Sequence, residues 1–272
     1  MHKKRITERF PFLLPIRKVQ RKMFFYTQMK MDFNKYARKI SADLLEHTVF
    51  SAKSKLINSD SGYDIRYQIN KIDNLKLVAN TMNKIIIAPN ETFSFWMLAK
   101  NAESAEKYKE GLVMVNNQIV PLKGGGLCQM SNLLFWLFIH TPLTIVERHP
   151  HSAETIPQPK GDIPEGVDAT IAEGWKDLKV KNETQETFQL AIEFDDEFIY
   201  GTVFSNQLQE VIYTVKSENL KYTRENQKIY RYNQIYKEGY HFSKKNMVSR
   251  ELVLDNKYEI KYDIESEIEM IE

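Results

Sequence analysis

The stretch KGGGLCQMSNLLFWLFIHTPLTIVERHPH, residues 123–151, carries three consecutive glycines and the chain's one cysteine. It also holds the longest near-continuous apolar run and two histidines one residue apart. From Gln129 to His140, the residues Met130, Leu133, Leu134, Phe135, Trp136, Leu137, Phe138 and Ile139 describe a helix that is apolar almost all round. A helix of that kind is buried. Pro142 stops it, since a proline drives the residue before it out of helical backbone, and His140 caps its last carbonyls. Residues 144–149 then alternate as a strand, with Ile145, Glu147 and His149 on one face. If extended geometry continues through Pro150, His151 shares the face of His149. The proline itself marks an edge strand or a strand end.

Upstream, residues 113–115 and 118–120 read as a hairpin turning at Asn116 and Asn117, which tolerate left-handed backbone. Residues 92–96 alternate as a strand after a Pro89-Asn90 turn. Residues 70–87 read as a helix running into a short strand, and residues 59–62 as a turn. Residues 17–40 hold good helix formers without Gly or Pro. Downstream, 156–166 is a Pro- and Gly-rich loop. Short strands are expected at 169–171, 178–181, 188–194, 198–204, 211–215, 229–236, 240–242, 251–254 and 258–262, and the acidic tail 263–272 is expected to fray. The fold class is therefore α+β: N-terminal helices, a central buried helix packed on a mostly antiparallel sheet, and a β-rich C-terminal half. The expected units are a basic helical arm (1–58), a core domain (59–205) and a β-rich extension packed on the core (206–272).

At 272 residues and net charge +2 the composition is that of a globular protein with no pull toward nucleic acid. The charge is unevenly spread. Residues 1–40 hold twelve Lys/Arg against Glu8 and Asp32, a balance of +10, and the remainder carries −8. A basic arm on an acidic body can touch an anionic membrane or fold back on its own protein, and the second reading is the one expected. A single cysteine suits a reducing compartment, and no apolar segment reaches the length of a membrane span. Residues 10–16 are too short and too proline-broken for a signal peptide. The expected location is cytoplasmic, at most at the inner face of the membrane.

Cys128 follows flexible glycines and opens a helix, whose unpaired amides and dipole stabilise a thiolate. His149 or His151 on the next strand could form the thiolate–imidazolium pair of a cysteine nucleophile, with Asp168 orienting the ring. Gln129, or the amides at the helix start, could stabilise an oxyanion. This placement of cysteine and histidine is similar to that of papain-like and transglutaminase-like enzymes. Gly124, Gly125 and Gly126 allow another group close to the backbone, and with Arg148 they are the candidate ligand-binding residues. Against these stand plainer readings. Cys128 can be a small buried hydrophobe, and the histidines can be structural beside Glu147 and Arg148. Cys128, His149 and His151 could also hold zinc, but neither a second cysteine nor HExxH accompanies them. No metal or cofactor is assigned.

At the central stretch the chain resembles the VanW family. The residues that carry the resemblance are ETFSFW at 91–96, YKEGL at 108–112, GGGLCQMSNLL at 124–134, ERHPHS at 147–152 and DAT at 168–170. It extends to FPFLLP at 10–15, and it looks like the short form of the family, without a signal peptide. The resemblance implies a setting in glycopeptide (vancomycin) resistance of the B type and the bacterial cell envelope, and supplies no reaction or catalytic residues. Three functions follow. An accessory module binding a cell-wall precursor, peptide or partner is the one toward which the sequence leans. A cysteine-dependent hydrolase or transferase acting on peptidoglycan peptides and a zinc-dependent hydrolase are the alternatives.

Overall fold

The chain, described by a computed structural model over residues 10–264 apart from 116, 117, 152 and 160, together with Met270–Ile271, begins with one 3-10 turn at Pro11–Leu13. The expected turn at Asn116 and Asn117, and Ser152 of the histidine block, lie outside the described residues. Helix α1 (Leu14–Met31) follows, and it stops well short of the expected residue 40. There the Asp32 side chain accepts from the amide of Asn34 and from the Tyr36 hydroxyl, and Phe33 takes φ +58°. A short acidic side chain that bonds its own backbone competes with the helix and ends it.

Next come β1 (Lys35–Tyr36), β2 (His47–Lys55), α2 (Ile65–Met82), β3 (Ile85–Ile87) and β4 (Glu91–Ser94). Strand β2 lies in what the sequence suggests is a helical arm. Its Thr48, Val49 and Phe50 favour extended backbone, and residues 47–55 pair with a later strand along their whole length. The arm is therefore helical only to Met31, and the rest is built into the sheets. Strand β4 ends at Ser94, whose Oγ accepts from the Met97 amide at 3.1 Å and starts α3 (Phe95–Ala99). Phe95 and Trp96 are thus helical, a correction explained by this cap.

The hairpin β5 (Glu110–Val115) and β6 (Gln118–Lys123) leads into α4 (Cys128–Ile139). After it run β7 (Thr144–Glu147), β8 (Ala153–Glu154), β9 (Lys179–Lys181), β10 (Phe188–Phe194) and β11 (Phe198–Ser205). The C-terminal strands β12 (Val211–Glu225), β13 (Lys228–His241) and β14 (Met247–Ile260) are far longer than the sequence suggests. Register shifts inside them carry the ladder past positions where the alternation breaks. Residues 169–171 form no strand. The tail does not simply fray, since β15 (Met270–Ile271) pairs parallel with β12.

Among the described residues the strands form four sheets, in the orders β2-β11-β10-β3, β1-β4-β9-β7, β15-β12-β13-β14-β8 and β5-β6. The first is antiparallel throughout, and α4 packs on its strands β2 and β11. Leu133, Leu134, Leu137 and Phe138 are fully buried there. Each such side chain contributes about 1.5–3 kcal/mol. A Cβ on Gly201 would stand 2.4 Å from Leu137 Cδ1, so this glycine is what lets the helix sit close to β11. At the far end His140 Nδ1 meets the Trp136 carbonyl at 2.8 Å, the expected cap.

Two contacts hold the segment after the histidines. Strand β8 pairs parallel with β14. Arg231 on β13, itself fully buried, forks onto Glu154 and also reaches Glu165 at 2.9 Å. The C-terminal sheet thus fixes where His151 lies.

Candidate active site

Cys128 is the first residue of α4, and Ser131 and Asn132 tie that helix start to the chain around Asp168. Ser131 Oγ donates to the Ala169 carbonyl at 2.5 Å, and the Ala169 amide donates to Asn132 Oδ1 at 2.8 Å. The thiol receives a hydrogen bond from the Ile171 amide and shares one with the His151 ring. His151 Nδ1 bonds Asp168 Oδ2, which leaves Nε2 as the nitrogen facing sulfur.

Asp168 is 3 % exposed and accepts from four donors. Oδ2 takes the His151 ring and the His151 amide, the latter at 2.6 Å. Oδ1 takes Arg148 Nη2 and the Tyr258 hydroxyl, the latter at 2.6 Å. Arg148 also donates through Nε to the Asp168 carbonyl at 2.6 Å, and its guanidinium lies over the Phe135 ring.

These contacts set the charges. Burial by itself raises the Cys128 thiol, but the His151 hydrogen bond and charge and the Ile171 amide together bring it below the ordinary thiol range. Burial likewise lowers His151, yet Asp168 and Cys128 outweigh it and hold the imidazole well above the usual histidine range. Asp168 is pushed up by burial and pulled down further by His151, Arg148 and Tyr258, so it stays ionised. The arrangement favours a thiolate–imidazolium pair backed by a carboxylate. Since the groups titrate together, the pair has its own macroscopic behaviour.

The two histidines part company. Strand β7 ends at Glu147 after a register shift, so the shared strand face expected for His149 and His151 does not form. His149 Nε2 turns to Glu147 Oε1 at 3.0 Å, and Glu147 is held in turn by Lys179 at 2.9 Å. The three-ligand zinc arrangement is accordingly not assembled. Among the described residues no three His, Cys, Asp or Glu side chains gather as metal ligands.

Gln129 is also used differently from expectation. Its Nε2 donates to Ser54 Oγ at 2.9 Å and to the Lys55 carbonyl at 2.7 Å, so this amide has no donor left for an oxyanion. Arg148 holds Asp168 through Nε and Nη2. The glycine amides are spent as well, on the carbonyls of Lys109, Leu122 and Leu112 for Gly124, Gly125 and Gly126 respectively. What the glycines provide is close packing. A Cβ on Gly125 would fall 2.1 Å from the Gly111 carbonyl, so hairpin and loop touch backbone to backbone. Buried Asn74 clamps this contact, donating to the carbonyls of Gly125 and Lys109 at 3.0 Å each.

A cleft of about 770 Å³ opens at Cys128, His151 and Asp168. Its walls include Tyr108, Leu112, Met114, Trp96 and the 61 % exposed Trp175. Helix α1 forms part of the rim. Lys22 pairs with Glu173 at 2.7 Å, and the Arg21 guanidinium lies 5.3 Å from the Trp175 ring.

A family model for VanW-like proteins matches residues 70–204. Over 272 positions the chain is 42% identical to the vancomycin B-type resistance protein VanW of Enterococcus faecalis, covering 100% of this chain and 99% of that one. The chain belongs to the VanW family. It is also 32% identical over 110 residues to the uncharacterized protein YoaR of Bacillus subtilis, covering 40% of this chain and 35% of YoaR. No solved structure matches significantly.

The part matched by the VanW model contains Cys128, Asn132, His151 and Asp168 but ends before Tyr258. Two residues of the site escape the sequence reading. Asn132 had a signal, since it follows Cys128 by four positions and shares its helix face. Tyr258 had none, because it reaches Asp168 across 90 positions through the C-terminal sheet.

Proposed function

We propose that this VanW-family chain is a cysteine-dependent acyl-transfer enzyme, a hydrolase or transferase, acting on peptide amides of the cell envelope in glycopeptide resistance. One observation carries the chemistry: a single imidazole, His151, bridges the Cys128 sulfur and a buried carboxylate at the wall of a cleft. The setting is supported by the full-length identity to a vancomycin B-type resistance protein.

In this mechanism the Cys128 thiolate attacks the substrate carbonyl carbon, forming the C–S bond. The oxygen gains the negative charge and is met by the Cys128 amide at the helix start and by Asn132 Nδ2, the donor left once Oδ1 holds Ala169. As the C–N bond breaks, His151 gives its Nε2 proton to the leaving amine. Neutral His151 then takes a proton from water, or from an acceptor amine, which displaces the thiolate and releases the acyl product. Asp168 holds the ring orientation and stays ionised throughout. A purely binding role, toward which the sequence leans, gives the thiol no reason to share a proton with an imidazole so firmly braced.

The reading is tested with a small thioester acyl donor, N-acetylalanine thioester, followed by intact mass. One acyl group should appear on Cys128 of the wild type near neutral pH. No acylation, or equal acylation of His151→Ala, would overturn it.

Peripheral membrane attachment and a cytoplasmic location belong to the same proposal. Among the described residues no helix is long and apolar enough to cross a membrane. Helix α1 turns Phe25 and Met29 to the body, while Phe12, Ile16, Val19 and Met23 are 60–73 % exposed along one stripe. Lys30, seven positions after Met23, continues that stripe with a positive charge, which suits it to the surface of an anionic bilayer. The full chain should cosediment with phosphatidylserine-containing vesicles and markedly less with pure phosphatidylcholine. Ile16→Glu/Met23→Glu should abolish the difference, and binding that ignores both changes would refute this placement.

A further inference from the structure

A second cavity, about 260 Å³, adjoins the cleft at Cys128, Gly126 and Asn132. Neither the triad nor the oxyanion donors account for its polar lining. Lys71 of α2 reaches it with its stem laid against Gly126, where a Cβ would stand 2.2 Å from Lys71 Cγ. The glycine two positions before the nucleophile is thus what admits this lysine.

The Lys71 ammonium donates to Gln68 Oε1 at 2.7 Å, and among the described residues it forms no ion pair with a carboxylate. Burial lowers it to about 8, so it remains mainly cationic at neutral pH. A cation withdrawn from water without a counter-charge is costly, and a ligand anion would offset that cost. Lys53, Lys55 and Asp162 also line the cavity, and Lys71 is the cation whose stem packs on Gly126, two positions from the reactive sulfur.

We infer that this cavity is the leaving-group subsite, and that it takes the carboxylate-terminated end of a peptide, with Lys71 on the carboxylate. The inference rests on the acyl-transfer reading of Cys128 and narrows its substrate to peptides cleaved close to a free C-terminus. The larger cleft then holds the acyl side, rich in apolar and aromatic surface. Attack at sulfur divides the substrate where the two cavities meet. The released amine carries its own carboxylate away, while the acyl group stays on Cys128.

The test follows alkylation of Cys128 by iodoacetamide in the full chain, with N-acetyl-alanyl-alanine or its carboxamide as protecting probe, each in all four stereochemical forms. In at least one form the free acid should protect at concentrations about tenfold or more below its amide, the range of a charge-assisted hydrogen bond. Lys71→Met keeps the stem against Gly126 and should bring acid and amide together, whereas Lys71→Arg should retain a preference for the acid. Equal protection by acid and amide, protection by neither, or a preference undiminished in Lys71→Met would overturn the inference. Failure of the triad reading would show separately, as a probe-free alkylation rate indifferent to His151→Ala.

Discussion

Replacing Cys128 with serine should reduce acyl transfer by about 10⁴-fold or more, with an unchanged fold by circular dichroism and thermal midpoint. The hydroxyl is nearly isosteric, but it does not ionise at neutral pH. The companion substitution His151→Ala reports on the ion pair without needing a substrate. In the wild type the thiol lies below its ordinary range and the imidazole above. The reactive pair therefore forms as pH rises through the lowered thiol value and is lost as pH rises further through the raised histidine value. Alkylation should accordingly persist near pH ~6, where a thiol of pKa ~8.5 is only about 0.3 % ionised. Without His151, burial of the sulfur acts unopposed, and the rate near pH ~6 should fall by about 10²-fold, part of the lost thiolate being offset by higher intrinsic nucleophilicity. Stopped-flow alkylation across pH measures the first limb, and acyl transfer measures the second. An alkylation profile unaltered by His151→Ala would remove the pair from the mechanism.

Asp168→Asn should impair the protein in two ways at once. Catalytically, the neutral amide no longer favours the charged imidazole or fixes its tautomer, and a loss of about 10⁴-fold in turnover is the scale seen for a missing triad carboxylate. Structurally, it leaves Arg148 beside Asp168 without its counter-charge, a side chain only 12 % exposed. Breaking a buried pair in this way costs about 3–5 kcal/mol, visible as a lowered urea midpoint. The pH dependence carries the sign. The depressed Asp168 carboxyl stabilises the fold above its unfolded value, and that contribution is lost as pH falls through the folded one. The elevated His151 contributes fully below its unfolded value and loses its contribution as pH rises through the folded one. The stability difference between wild type and variant should thus be widest between these limits. Tyr258→Phe removes only one of four donors to Asp168, and should cost far less in both respects.

The parts of the site differ in how plainly the sequence showed them. Cys128 at a helix start was readable because local rules decide it: glycines before, an unbroken apolar run after, proline to stop. The pairing of one histidine with Asp168 was open, since His149 and His151 are equivalent by spacing alone. The end of β7 at Glu147 and the pairing of β8 with β14 separate them. Gln129 looked like an oxyanion donor until β2, read as part of a helical arm, took its amide. The three glycines looked like ligand contacts, and their amide donors are spent inside the protein.

By itself the sequence determined the α+β class, the buried central helix with its cap at His140, and the order Cys, His, Asp. Helix periodicity, proline stops and residue chemistry act over a few positions and need no partner. Only the tertiary structure decided that His151 faces the thiol, that Tyr258 and Arg148 brace Asp168, and that Lys71 stands beside the nucleophile without a counter-charge. Those relations depend on strand pairing and packing between segments up to about a hundred residues apart, and no local pattern encodes which hydrogen-bonding group will be left unpaired when the sheets close.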